Sequence, residues 1–233
     1  LGDDFRDRPK GFIECQGTTL VGRSLALLKS CGIRHVVIVT GHCADFYDEL
    51  ARQSAGFVTT LFNERYGDSG SLVSLGVALS AVEAPCLVLD SDIVYERRGL
   101  AALLSCPMEN AALVSGTTGS GDEYYTWVDA LQGLPLPAVR RLSKRLSDEP
   151  DPPLGEHVGI IKIGNALARK VCDAGPRRVK AQPMAFYEDC LIDQLPGCPM
   201  GALEIADLVW CEIDDQRMLE RARTLVFPQL DSL

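Results

Sequence analysis

The chain has 233 residues, 46% hydrophobic and 24% charged, with a formal net charge of −9. That length allows one α/β domain or two small ones and a sizeable buried core. The acidic balance argues against general binding to nucleic acid or acidic membranes, which needs a basic surface, but permits a small anionic substrate in a local basic pocket.

In chain order, Thr18 and Thr19 are placed to cap a helix over roughly 20–31, with Leu20, Leu25 and Leu28 on one face and Gly32 closing it. HVVIVTG (35–41) reads as a β-branched strand, 43–53 as a helix and FVTTLF (57–62) as a second strand. After the turn GDSG a helix is expected over 71–81, then a third strand over 86–90 and a helix near 97–105. This alternation implies a largely parallel sheet. Beyond about residue 110 the pattern changes to successive strand-like pieces: AALVSG (111–116), YYTWVDAL (124–131), AVRRLS (138–143) and HVGIIKIG (157–164). Helices near 165–174 and 186–195 precede a last strand, VWCEID (209–214), and Asp214 or Asp215 caps the final helix. The whole reads as one domain, 1–233, with an α/β core and a lid- or acceptor-forming insertion at about 111–163.

Nine cysteines, none in a CxxC pair, and three histidines argue against a zinc site and for a reducing, cytoplasmic setting. No apolar run approaches a membrane helix in length, and no signal peptide is visible.

The segment CLVLDSDIVY (86–95) carries the strongest chemical signal. An apolar strand stops at two carboxylates, Asp90 and Asp92, at the C-terminal end where open α/β sheets bind ligands. Hard oxygen ligands there suit Mg²⁺, which takes one or two protein carboxylates plus phosphate oxygens; a plain acidic turn is the alternative. EIDD (212–215) is a second strand ending in acids, and two such strands can place carboxylates on either side of one metal. RDRPKGF supplies Arg6, Arg8 and Lys10 in a cationic loop, begun by a segment containing Gly2, that could cradle polyphosphate. SGSL (69–72) offers hydroxyls and amides at a helix start, and FYEDCL (186–191) sets a tyrosine beside two acids.

RPKGF, VIVTGH, FNERY…SGSL, LVLDSDIVYE, GEHVGIIKI, FYEDCL and CEIDD, in that order, resemble the small-molecule nucleotidyltransferases. More narrowly, the chain resembles bacterial phosphocholine cytidylyltransferases and those acting on 2-aminoethylphosphonate and 2-hydroxyethylphosphonate. The resemblance implies a Rossmann-like, three-layer α/β nucleotidyltransferase fold with a mostly parallel mixed sheet and an inserted antiparallel layer. It implies transfer of CMP from CTP to a small phosphonate, phosphocholine being the alternative acceptor, with Mg²⁺ on Asp92 and Asp214. Gly2, Arg8, Lys10 and Ser71 would bind nucleotide. Lys144, Tyr187, Glu188 and Asp189 would bind the acceptor, and Lys10 and Lys144 would act in catalysis. The family opens with a strand and a G-x-G-x-R loop, whereas this chain opens at LGDDFRDRPK. The expectation is therefore of a domain preceded by or fused to further sequence, with a catalytically silent nucleotide-binding domain as the other reading.

Overall fold

The computed structural model describes residues 7–230. After a 3-10 turn, Lys10–Phe12, come β1 (Glu14–Cys15), β2 (Thr18–Thr19), α1 (Leu20–Ser30), β3 (Val36–Thr40), α2 (Ala44–Gln53), β4 (Val58–Phe62) and α3 (Ser71–Leu79). They are followed by β5 (Cys86–Leu89), β6 (Ile93–Tyr95), α4 (Arg97–Ser105), β7 (Ala111–Ser115), β8 (Tyr125–Asp129), β9 (Ala138–Ser143) and β10 (Gly155–Ile163). The last elements are α5 (Asn165–Ala181), α6 (Tyr187–Gln194), β11 (Gly201–Ile205), β12 (Trp210–Glu212) and α7 (Gln216–Arg221). Among the described residues no helix is long and apolar enough to cross a membrane.

Local chemistry explains several boundaries. Thr19 caps α1 by accepting from the Gly22 amide at 3.0 Å, and Gly32 follows with a positive φ of 86°. Asp215, not Asp214, caps α7 by accepting from the Met218 amide at 2.7 Å. Helix α5 runs beyond 174 through Gly175 and Pro176. Its packing against α3 and α6 overrides the local helix-breaking signal.

The chain divides into two compact units. The first comprises the described residues up to Gly32, Leu87–Lys162 and those from Pro199 onward. Its mixed sheet has the order β5-β10-β7-β11-β9-β8. Strands β7 and β11 run parallel, Ala111 opposite Gly201 through Ser115 opposite Ile205. Strand β7 pairs antiparallel with β10, and β8 with β9. Every residue of β7 is buried, as a continuous apolar run in a central strand should be. A separate antiparallel pair, β6 with β12, lies over a core of Ile13, Leu20, Val94, Ile213, Leu219 and Phe227.

Strands β6 and β11 have no counterpart in the sequence reading. Strand β6 is three residues long, and its partner lies far along the chain. Strand β11 opens with a glycine just after the turn-forming GCPM. The register of β10 shifts between His157 and Ile161, around Gly159 at φ 79°. A β-carbon at Gly159 would lie 2.5 Å from Asp90 Oδ2, and the Asp90 amide donates to the Gly159 carbonyl at 3.0 Å. Glycine is required there by both φ and space.

The second unit comprises Ile33–Cys86 and Ile163–Cys198. Its strands β3 and β4 are parallel, from Val36 opposite Val58 to Thr40 opposite Phe62. Helices α2 and α3 cover this pair, and α3, α5 and α6 pack on one another around Leu72, Leu75, Leu167, Val171 and Leu191.

Candidate active site

The acids of the first unit are assembled by strand register. Trp210, Cys211 and Glu212 of β12 lie opposite Tyr95, Val94 and Ile93 of β6. One step further, the Ile213 amide donates to the Asp92 carbonyl at 2.9 Å. The sequence-distant strand ends therefore meet, and ligand oxygens of Asp92, Glu212 and Asp214 all lie within 4.8 Å of one another.

One ammonium serves this cluster directly. Lys10 Nζ donates to Asp92 Oδ2 at 3.1 Å and also to Asp214 Oδ1. Burial works against the charged form of Lys10, but Asp92 and Asp214 outweigh it and hold its pKa above the usual lysine range. Glu212 is pushed up to about 8, first by burial and then by the like charges of Asp92 and Asp214. Asp92 and Asp214 against one bridging ammonium leave the site net negative, and with the Glu212 carboxyl they form an all-oxygen donor set, which fits a hard divalent cation.

Lys144 follows β9 and donates to Asp122 Oδ1 at 2.8 Å. Burial tends to lower its pKa, but Asp122, Glu212 and Asp214 raise it overall. The first unit thus holds Lys10, Asp92, Asp214 and Lys144. Arg8 is exposed ahead of the Lys10–Phe12 turn. Gly2 and Arg6 lie outside the described residues.

Ser71, Tyr187, Glu188 and Asp189 belong to the second unit. Ser71 opens α3, and its Oγ accepts from the Tyr187 amide, the first of α6, at 3.0 Å. The Gly70 and Leu72 amides donate to the carbonyls of Pro183 and Ala185 at 3.0 and 3.3 Å. Two amides of the SGSL turn, those of Gly70 and Leu72, are therefore engaged by the chain itself. Tyr187 and Glu188 are buried, and Asp189 lies 3.7 Å from the Arg178 guanidinium.

Two functional candidates escaped the sequence reading. Glu212 stood inside the quoted EIDD segment, and its placement at the end of β12 was the available signal. Asp122 sits in a polar loop with no local signal; only the tertiary structure pairs it with Lys144.

Residues 4–193 match the family described as the MobA-like NTP transferase domain. A choline-phosphate cytidylyltransferase of Haemophilus influenzae is 30% identical over 101 residues. That match takes in 42% of this chain and 42% of the relative, so the chain spans less than half the length of that protein. Among solved structures, the inositol-1-phosphate CTP transferase of T. maritima superposes with a TM-score of 0.77 at 13% identity, covering 100% of this chain and 93% of that one. The CTP:phosphocholine cytidylyltransferase of Streptococcus pneumoniae gives 0.70 at 16%, covering 91% and 87%. At these identities the likeness establishes the Rossmann-like α/β nucleotidyltransferase fold. The chain belongs to the MobA-like NTP transferase domain family, and hence to the nucleotidyltransferases.

Proposed function

We propose that the protein transfers CMP from CTP to a small phosphonate, 2-hydroxyethylphosphonate or 2-aminoethylphosphonate, and releases pyrophosphate. The observation that carries the reading is the cluster of Asp92, Glu212 and Asp214, in which Lys10 bridges Asp92 and Asp214. An anionic acceptor oxygen attacks the α-phosphorus, a new P–O bond forms, and pyrophosphate leaves with the electrons of the broken bond. The acceptor is already ionised near neutral pH, so positioning and charge compensation carry the acceleration. Asp92 and Asp214, with Glu212 beside them, would hold Mg²⁺. When bound, the ion neutralises charge growing on the phosphate oxygens. Lys10 steadies the departing pyrophosphate, Arg8 and Gly2 complete the nucleotide contacts, and Lys144 draws in the acceptor. Ser71 is assigned to cytosine, and Tyr187, Glu188 and Asp189 to the acceptor. Residues 111–163 are assigned as the acceptor-forming insertion of a single nucleotidyltransferase domain.

The acceptor choice rests on the aromatics. A trimethylammonium group calls for an aromatic cage. Trp127 is fully buried, with its Nε1 donating to the Asp151 carbonyl at 2.8 Å, and Tyr187 is buried. Neither offers an open ring face; Tyr124 and Tyr125 are half-buried, with the Tyr125 ring edge against Trp127. Phosphocholine is the second reading, favoured by the Haemophilus influenzae relative. The test is pyrophosphate release from CTP and Mg²⁺ with each phosphonate, with phosphocholine and with hexose 1-phosphates. Release with a phosphonate supports the first reading, and release with phosphocholine alone supports the second. CTP binding without release from any acceptor would show a silent domain.

A further inference from the structure

The loop between β7 and β8, residues 116–124, carries Asp122 and is tied down at several points. Glu156 in β10 is only 3% exposed. It accepts from the Thr118 amide at 2.6 Å and from the Thr118 hydroxyl at 3.2 Å. Two arginines of α7, the helix that follows Asp214, reach the same loop. Arg217 Nη1 donates to the Ser120 carbonyl at 2.9 Å, and Arg221 donates to the Thr118 carbonyl. The Asp122 amide in turn donates to Ser120 Oγ at 3.2 Å.

Strand register then supplies the partner. Tyr125 at the start of β8 pairs with Ser143 at the end of β9, so Asp122 and Lys144 emerge at the same end of that ladder. Their side chains are 34% and 52% exposed. An ion pair so exposed contributes little to stability. The buried carboxylate and two arginines that fix its loop thus point to a positional role rather than a stabilising one.

We infer that Asp122 is a positioning residue for the acceptor site, holding the Lys144 ammonium beside the Asp92–Glu212–Asp214 cluster. Without it, Lys144 is a flexible four-carbon stem, and binding an acceptor costs the entropy of fixing it. With it, the ammonium is placed in advance and offers its remaining protons to an anionic oxygen. The inference rests on the proposed function, because it takes Lys144 as the acceptor's cation.

The experiment is steady-state pyrophosphate release with the wild type, Asp122→Asn, Asp122→Glu, Lys144→Met and the Asp122→Asn/Lys144→Met double variant. Thermal unfolding of each checks the fold. Asp122→Asn is expected to raise the acceptor KM about five- to tenfold, with kcat and the CTP KM within about twofold. Asp122→Glu, which keeps the charge, should recover part of that loss. In the Lys144→Met background the Asp122 substitution should add less than about twofold, because its effect passes through Lys144. An unchanged acceptor KM in Asp122→Asn, or an undiminished effect in the Lys144→Met background, overturns the inference while wild-type turnover leaves the function standing. A wild type that releases no pyrophosphate with any acceptor defeats the functional reading and the inference together.

Discussion

In the first unit, ligand oxygens of Asp92, Glu212 and Asp214 lie within 4.8 Å of one another, and among the described residues the Lys10 ammonium bonds Asp92 and Asp214. In the second, several polar groups where α3 and α6 begin are bonded to groups of the same unit. Ser71 holds the Tyr187 amide, the Gly70 and Leu72 amides hold carbonyls, and Arg178 pairs with Asp189 and Asp193. Both regions were read from sequence as polar clusters at element ends. They differ in charge compensation. The second is bonded in large part by its own chain, whereas the first is left net negative and suits a cation from outside. Removing an acid of the first region should therefore injure catalysis most, whereas Ser71 in the second also has a structural hydrogen bond to lose.

The largest effect tests that division directly. Asp92→Asn or Asp214→Asn keeps the shape of the acid and removes a hard anionic ligand. Either should lower kcat/KM about 10²–10³-fold, with little loss of melting temperature. Unchanged pyrophosphate release in both variants would sink the metal assignment.

Gly159→Ala tests how rigidly the region beside Asp90 is built. It places a β-carbon 2.5 Å from Asp90 Oδ2 at a φ of +79°, and about 2 kcal/mol of stability should be lost by chemical denaturation. A neutral result would mean that β10 can move away from Asp90 at little cost.

The first unit also buries a base. His157 is 4% exposed, and its pKa is pushed down to about 4 by burial, with the Leu113 backbone pulling weakly the other way. The unfolded chain takes up this proton below the ordinary value of 6.5, while the folded chain does so only near 4. Stability is therefore lost as pH falls through that window, by about 2 kcal/mol between pH 7 and 5 from this group alone. His157→Phe, which keeps a ring near Tyr124, should flatten that part of the profile in urea titrations. An unaltered slope would assign the acid sensitivity elsewhere.

The smallest effect belongs to the second unit. Ser71→Ala leaves the Tyr187 amide without its acceptor and should cost about 1 kcal/mol. If the comparison holds, the melting temperature falls while the acceptor KM changes by less than about threefold. A loss of activity as deep as that of Asp92→Asn would collapse the distinction between the regions.

Local signals carried much of the fold. Strand and helix alternation, the Thr19 cap and the helix spanning Arg97–Ser105 were all legible, because each depends on residues within a few positions of one another. They failed where tertiary packing overruled them, as in the passage of α5 through Pro176, and where a strand exists only because of its partner, as with β6. The site divides in the same way. The acids at the ends of LVLDSD and CEIDD were visible in the sequence, since an apolar run ending in carboxylates is a local pattern. That Asp92, Glu212 and Asp214 converge was decided by the antiparallel register of β6 and β12, and the Asp122–Lys144 pair by that of β8 and β9. Local periodicity assigns a residue to a strand, but only the packed sheet selects the strand across from it.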